Sequence, residues 1–341
     1  MIMNTAGKWP VLSLLMVLAV GAFAETPPHA LTVRPQSQAP PVKVVPAAQA
    51  FTFHLNPPDG VSTVQTDKTN IVEHLGDEKK REETDETKMR VTFKKAAKGF
   101  TATMSTISSS MTEMGKKVTP PEAALMKDVV LTYHLDPAGE CKTITGFETL
   151  RKNMLQRIEY QRVAQHKPQQ PKLANAYIDQ MIAGMIKQRT GEWHDEFTRF
   201  CGKTAKIGDS WHDSAPSRLP FVGTIALHRT ITFAERAIVN GHNCVRVKYL
   251  TTTDPKEIQA AIKTELAREK KIAAAQHIKD EYATVKDITV RQERVRVIDP
   301  ATMLVYSESY ADTQTIVVHR PKEGNVTAVT NEKRETTYEY K

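Results

Sequence analysis

Along VVLTYHLDPAG, Val129, Leu131, Tyr133 and Leu135 fall on one face, while Asp128, Thr132, His134 and Asp136 mostly take the other. Successive side chains of a strand point to opposite faces, so this period of two fits an antiparallel sheet covered on one side and wet on the other. Asp136-Pro137-Ala138-Gly139 then reads as a type I turn, with Asp first, Pro second and Gly fourth. The chain returns through ECKTITG, so 128–146 is expected to form a hairpin. A second hairpin of the same style is expected in VRVIDPATMLVYSESY, turning on Asp299-Pro300. Met89, Val91 and Phe93 alternate too, as do Val245, Val247 and Tyr249, and Val295 and Val297. The charged run DEKKREETDETK at 77–88 lies between strand-like segments and reads as a solvated hairpin connection, as dense mixed charge generally does.

Three segments break the alternation with helical spacing. Phe147, Leu150, Met154 and Ile158 lie on one stripe, and Leu173, Tyr177, Met181 and Met185 repeat it after a connection bounded by Pro168 and Pro171. A short connection favours antiparallel neighbours, so these two are expected to form a helical hairpin. The third, from Pro255 to about Tyr282, has Asp254 as its N-cap and Pro255 at its first helical position. Its apolar stripe, Ile258, Ile262 and Leu266, is narrow, which suits a helix lying on the surface between two strands. The expected fold is α+β: a large twisted antiparallel sheet, curved towards a half-barrel, with the helical hairpin and the additional long charged helix on one side.

The N-terminus has the three parts of a secretory signal: Lys8, the apolar run from Val11, and the small-x-small site Ala22-Phe23-Ala24. That run falls short of the about 20 residues a membrane span needs. Residues 25–50 hold six prolines and no structural period, as a linker does. The expected organisation is a signal peptide at 1–24, a Pro-rich linker at 25–50 and a single α+β domain at 51–341. Export to a bacterial periplasm, or secretion, is expected, with no stable membrane span after cleavage. The net charge of +8 is spread among acids without clustered aromatics, so a nucleic-acid partner is not expected.

Three cysteines, Cys141, Cys201 and Cys244, form no compact zinc or redox motif. Cys141 precedes the first helix of the hairpin and Cys201 follows the second, so antiparallel packing favours a Cys141–Cys201 disulfide over the other pairings. Connectivity itself does not follow from sequence.

GEWHDEF at 191–197 and DSWHDSA at 209–215 share Trp-His-Asp. Together they offer His194, Asp195, His212 and Asp213 as candidate metal ligands. Adjacent His-Asp is poor ligand geometry, because neighbours point to opposite faces of a strand and about 100° apart on a helix. The expected alternative is packing of Trp193 and Trp211 where helix meets sheet, with the polar pairs facing water. Gly-x-Ser-x-Gly, Ser-x-x-Lys, phosphate loops and dinucleotide fingerprints are absent from the sequence, so no cofactor is expected.

VVLTYHLDPAGECKTITGFETL, GKTAKIGDSWHDSAP, VNGHNCVRVKYL and VIDPATMLVYSESY follow one another in an order that resembles a family of uncharacterised exported bacterial proteins, a domain of unknown function with a Gly-Asp-Ser/Thr-Trp turn. The likeness spans roughly residues 125–320 and implies no activity or catalytic residues. In architecture alone the expected fold is similar to the half-barrels of periplasmic lipoprotein carriers. The expected function is a noncatalytic envelope protein whose concave face binds a lipid or other apolar or amphiphilic ligand, or an envelope protein partner. Two alternatives stand beside it: a metal-assisted or carboxylate hydrolase using the His-Asp pairs, and a structural or interaction module working through the charged helix.

Overall fold

In the computed structural model the described residues are 43–45, 50–120, 123–164, 171–219, 222–276, 284–320 and 324–341. The expected signal peptide at 1–24 and most of the expected linker lie outside them. The strands before the helical hairpin are β1 (Lys43–Val45), β2 (Phe51–Thr52), β3 (Ser62–Leu75), β4 (Glu78–Ala96), β5 (Gly99–Glu113) and β6 (Lys116–Val118). A short α1 (Ala123–Met126) leads to β7 (Val130–Leu135) and β8 (Cys141–Thr145). Then come α2 (Phe147–Ala164), α3 (Pro171–Trp193) and a π-helical turn (His194–Thr198). The second half holds β9 (Thr204–Ala205), β10 (Ser210–Leu219), β11 (Gly223–Val239), β12 (His242–Thr253), α4 (Pro255–Gln276), β13 (Thr284–Ile298), β14 (Val305–Arg320) and β15 (Gly324–Tyr340).

Thirteen strands make one antiparallel sheet in the order β1-β11-β12-β13-β14-β15-β3-β4-β5-β7-β8, with β10 also on β11 and β6 also on β5. The sheet is not closed, and it is strongly curved. From β10 to β5 is eight strand spacings, about 38 Å across a flat sheet. Yet Ser217 and Leu219 of β10 line the same cleft as Thr106 and Ser109 of β5.

Both expected hairpins form. Val129, Leu131, Tyr133 and Leu135 are all buried. In the turn between β7 and β8 the Gly139 N–H donates to the Asp136 carbonyl at 2.9 Å, and Asp136 Oδ1 accepts from the N–H groups of Ala138 and Glu140. Gly139 takes φ +80° there, and a Cβ on it would meet Cys201 Sγ at 3.0 Å, so the turn requires glycine. Asp299 plays the same part between β13 and β14, its Oδ1 accepting from the Ala301 N–H.

Two expectations need correction. The 77–88 run is no connection: Glu78–Lys88 is the first half of β4, in register with β3 on one side and β5 on the other. Alternation still operates, but charged residues occupy both faces. Glu82, Glu86 and Lys88 lie on the convex face, while Arg81, Glu83 and Asp85 lie on the concave one, where Glu83 is only 1% exposed. Within the expected linker, Lys43–Val45 pairs with β11. A β-branched pair between Pro41 and Pro46 is enough for a short edge strand, the place where flanking prolines are tolerated.

Two hydrophobic cores share the concave face and have no residue in common. The larger joins Leu131, Tyr133, Phe147, Leu150, Ile178 and Trp193 to an aromatic group around Phe53, Phe200 and Phe233. It is covered by α2 and α3, which are tied by Arg151 hydrogen bonds to Asn175 and Asp179. The smaller lies under α4, whose predicted stripe supplies buried Ile258 and Ile262 against Ile288, Ile316 and Val318. Asp254 caps α4 through the Lys256 N–H at 2.7 Å. No helix among the described residues is long and apolar enough to cross a membrane.

Candidate binding cleft

Between the two cores the concave face turns polar. Strand register builds this belt in layers. Tyr249, Arg294, Tyr310 and Arg334 stand side by side on β12, β13, β14 and β15, and Thr251, Gln292, Asp312 and Glu332 form the next layer. Above the belt lies a cleft of about 630 Å³ whose walls also include Ile71, Met89, Met104, Leu227 and Val290. A smaller recess of about 190 Å³ shares several of its walls and runs under the π-helical turn.

The recess is floored by a four-membered ion cluster. Arg296 Nε donates to Glu308 Oε2 at 2.6 Å, and Arg294 donates to both Glu308 Oε2 (2.8 Å) and Glu196 Oε1 (2.9 Å). Arg296 reaches Glu196 Oε2 at 3.2 Å. Glu196 belongs to the π-helical turn, so the cluster fastens the end of α3 to the sheet. Burial alone would raise the Glu308 carboxyl, but the guanidiniums of Arg296 and Arg294 outweigh it and hold the group down to about 2. Each arginine also lies over an aromatic ring, Arg294 over Tyr249 and Arg296 over Phe197, at 5.8 Å in both cases.

Further along the belt, Arg334 pairs with Glu332 at 2.8 Å and sits 5.5 Å over the Tyr310 ring. Asp312 accepts from Gln314, Gln292 and the Tyr310 hydroxyl at 3.0, 3.2 and 3.3 Å, all on Oδ2. Burial pushes its carboxyl up, against the pull of the two glutamine hydrogen bonds. Burial likewise raises Asp67 and Glu192.

The two Trp-His-Asp triplets part company at their histidines. Trp193 ends α3 and is buried; its indole donates to the Gly139 carbonyl at 2.9 Å and stacks on Phe197 with centroids 4.4 Å apart. Trp211 is in β10, against Phe233 and Phe200 at 4.7 and 5.8 Å. Asp195 and Asp213 do converge, on the shared arginines Arg199 and Arg229, with Arg229 Nε donating to Asp213 Oδ1 at 2.9 Å. His194 is exposed, and His212 lies on the opposite face of β10 from Asp213, 3.1 Å from Thr230 Oγ1. These four residues thus form an acid–arginine knot with outlying imidazoles. The one group of three metal-type ligands among the described residues is elsewhere: His228, Asp254 and Glu257 place ligand atoms within 4.8 Å of one another at the start of α4. Asp254 already caps that helix and Glu257 already pairs with His228 at 3.3 Å.

All three cysteines are free thiols. The ends of the helical hairpin meet at the Gly139 turn, with Cys201 beside Gly139 and Cys141 two residues further on, so the pairing favoured by sequence, should a disulfide form, brings together neighbouring segments. Burial raises both thiols.

Comparison with family models and with characterised proteins finds no match. Among solved structures, a chain described as showing lipid–protein interactions in lipovitellin aligns with 84% of this chain at 9% identity and a TM-score of 0.43. This chain spans only 25% of that one. An outer membrane channel from Pseudomonas putida F1 aligns over 87% of this chain and 100% of its own, at 6% identity and a TM-score of 0.14. Likenesses of this size carry no functional argument. The convex face here bears Lys68, Glu86, Arg90 and Lys94 where a membrane barrel would present an apolar band.

Proposed function

We propose that this protein is an exported, noncatalytic binding protein whose half-barrel takes a small amphiphilic ligand into the cleft between its two cores. The carrying observation is the cleft, about 630 Å³ in volume, whose walls carry both apolar and charged side chains. That volume falls within the roughly 300–1,000 Å³ of small-molecule sites. A ligand with one apolar and one polar end would set its chain against Leu227, Val290 and Met104 and its headgroup against the belt. The carboxylates Glu196 and Glu308 in the recess are saturated by arginines. This suits a rigid binding surface better than acid–base chemistry, which needs a proton near its transfer point.

Native mass spectrometry with dodecyl maltoside, kept below its micelle concentration, tests this reading. One detergent per protein is expected. Leu227→Trp and Met104→Trp, which fill opposite walls, are each expected to reduce uptake at least tenfold while the circular dichroism spectrum is retained. Absence of uptake by the unmodified protein, or undiminished uptake by both filled variants, would remove the proposal. Export is tested on the same preparation from the native host, where the mature N-terminus is expected at Glu25; a chain retaining Met1 would contradict it.

A further inference from the structure

The charge of the cleft is opposite to that of the protein. The chain carries a net +8, yet the cleft wall presents seven carboxylates, three guanidiniums and no lysine. Three of the seven carboxylates are ion-paired. Glu196 and Glu308 share Arg294 and Arg296, and Glu332 has Arg334. Asp67, Glu192 and Asp312 are not: among the described residues no cation lies within ion-pair distance of them, and Asp312 is the most buried of the three, only 6% exposed.

Three features of Asp312 point the same way. Its three hydrogen-bond donors all serve Oδ2, and Oδ1 is buried with no partner. It stands directly across from Glu332 in the β14–β15 register, a like-charged cross-strand pair that costs stability on its own. It also lines the same cleft as Val290 and Leu227, so apolar surface and an incompletely bonded carboxylate share one cavity. A buried carboxylate oxygen without a donor is expensive to maintain. A positively charged N–H donor relieves both the missing hydrogen bond and the repulsion.

We infer that the ligand of this cleft carries a primary ammonium or guanidinium group, received between Asp312 and Glu332, with its apolar chain over Val290 and Leu227. The inference rests on the cleft-binding reading above and adds the sign of the headgroup. It runs against nonspecific attraction, because a protein of net positive charge draws anions.

Isothermal titration at physiological salt with three probes of equal chain length provides the test: dodecylammonium, dodecanoate and dodecyl maltoside, each below its micelle concentration. Dodecylammonium is expected to bind at least tenfold more tightly than dodecanoate. Asp312→Asn is expected to lower the ratio of ammonium to maltoside affinity at least fivefold. If that variant does not fold, Glu332→Gln, nearer the surface, is expected to lower the same ratio. Dodecanoate binding as tightly as dodecylammonium, with maltoside still bound and still blocked by Leu227→Trp, would overturn the headgroup assignment and leave the cleft reading intact. An unchanged ratio in the folded variants would overturn it equally. Failure of all three probes would remove the cleft reading itself.

Discussion

Arg296→Leu is expected to lower folding stability by about 3–5 kcal/mol, the cost of leaving a buried ion without its partner. Arg296 is 2% exposed and contacts both Glu308 and Glu196, so its loss strands two carboxylates against a single remaining arginine. The measurement is the urea midpoint. The pair replacement Arg296→Met with Glu308→Leu is expected to recover most of the loss, because removing both charges also removes their desolvation cost. Acid titration gives an independent check. The folded Glu308 carboxyl is held at about 2, below the ordinary glutamate value, so its stabilisation is complete above that ordinary value and lost only as pH falls towards 2. In Arg296→Leu the stronger guanidinium is gone, the carboxyl rises, and acid unfolding moves to higher pH. An unchanged acid midpoint would show that the cluster does not couple the π-helical turn to the sheet.

The second large effect separates the tryptophans from the histidines beside them. Trp193→Ala is expected to cost about 3–5 kcal/mol, as for other buried aromatic truncations. It removes the stack on Phe197, the contact with Tyr133 at 5.4 Å and the bond to Gly139, and with them the closure of α3 onto the β7–β8 turn. His194→Ala and His212→Ala are expected to stay within about 0.5 kcal/mol, as surface changes do. Thermal denaturation of the three variants, repeated after prolonged dialysis against a chelator, decides the matter. A histidine variant as damaging as Trp193→Ala, or a chelator effect that either histidine change abolishes, would restore the metal reading.

The hairpins, the helices and the Asp254 cap were legible because each depends on local rules: alternation, turn residues and capping. The concave belt was not, for a physical reason. Glu83, Asp85, Arg294, Arg296 and Asp312 lie on strands where the inward positions are as polar as the outward ones, so alternation of polarity vanishes there. A run such as DEKKREETDETK then has the composition of a solvated loop, and only the register with β3 and β5 reveals which residues turn inward. The Trp-His-Asp repeat was legible in part. Packing of both tryptophans follows from their residue type, but the meeting of Asp195 and Asp213 on Arg199 and Arg229 depends on how the π-helical turn is laid against β10.

A single hydrogen-bonded sheet here carries two hydrophobic cores with a charged belt between them. Cooperativity normally spreads through shared apolar contacts, and none cross the belt, so backbone pairing and ion pairs are the links. The region around α4 is therefore expected to open as a separate sub-global unit, because Ile258 and Ile262 pack on Ile288, Ile316 and Val318 and share no cluster with the aromatic group around Phe233. Amides of the α4-covered ends of β13 and β14 would then exchange hydrogen at a lower free energy than those of β7 and β12. Such an opening would also widen one side of the cleft, an entrance for the proposed ligand that leaves the rest of the fold closed.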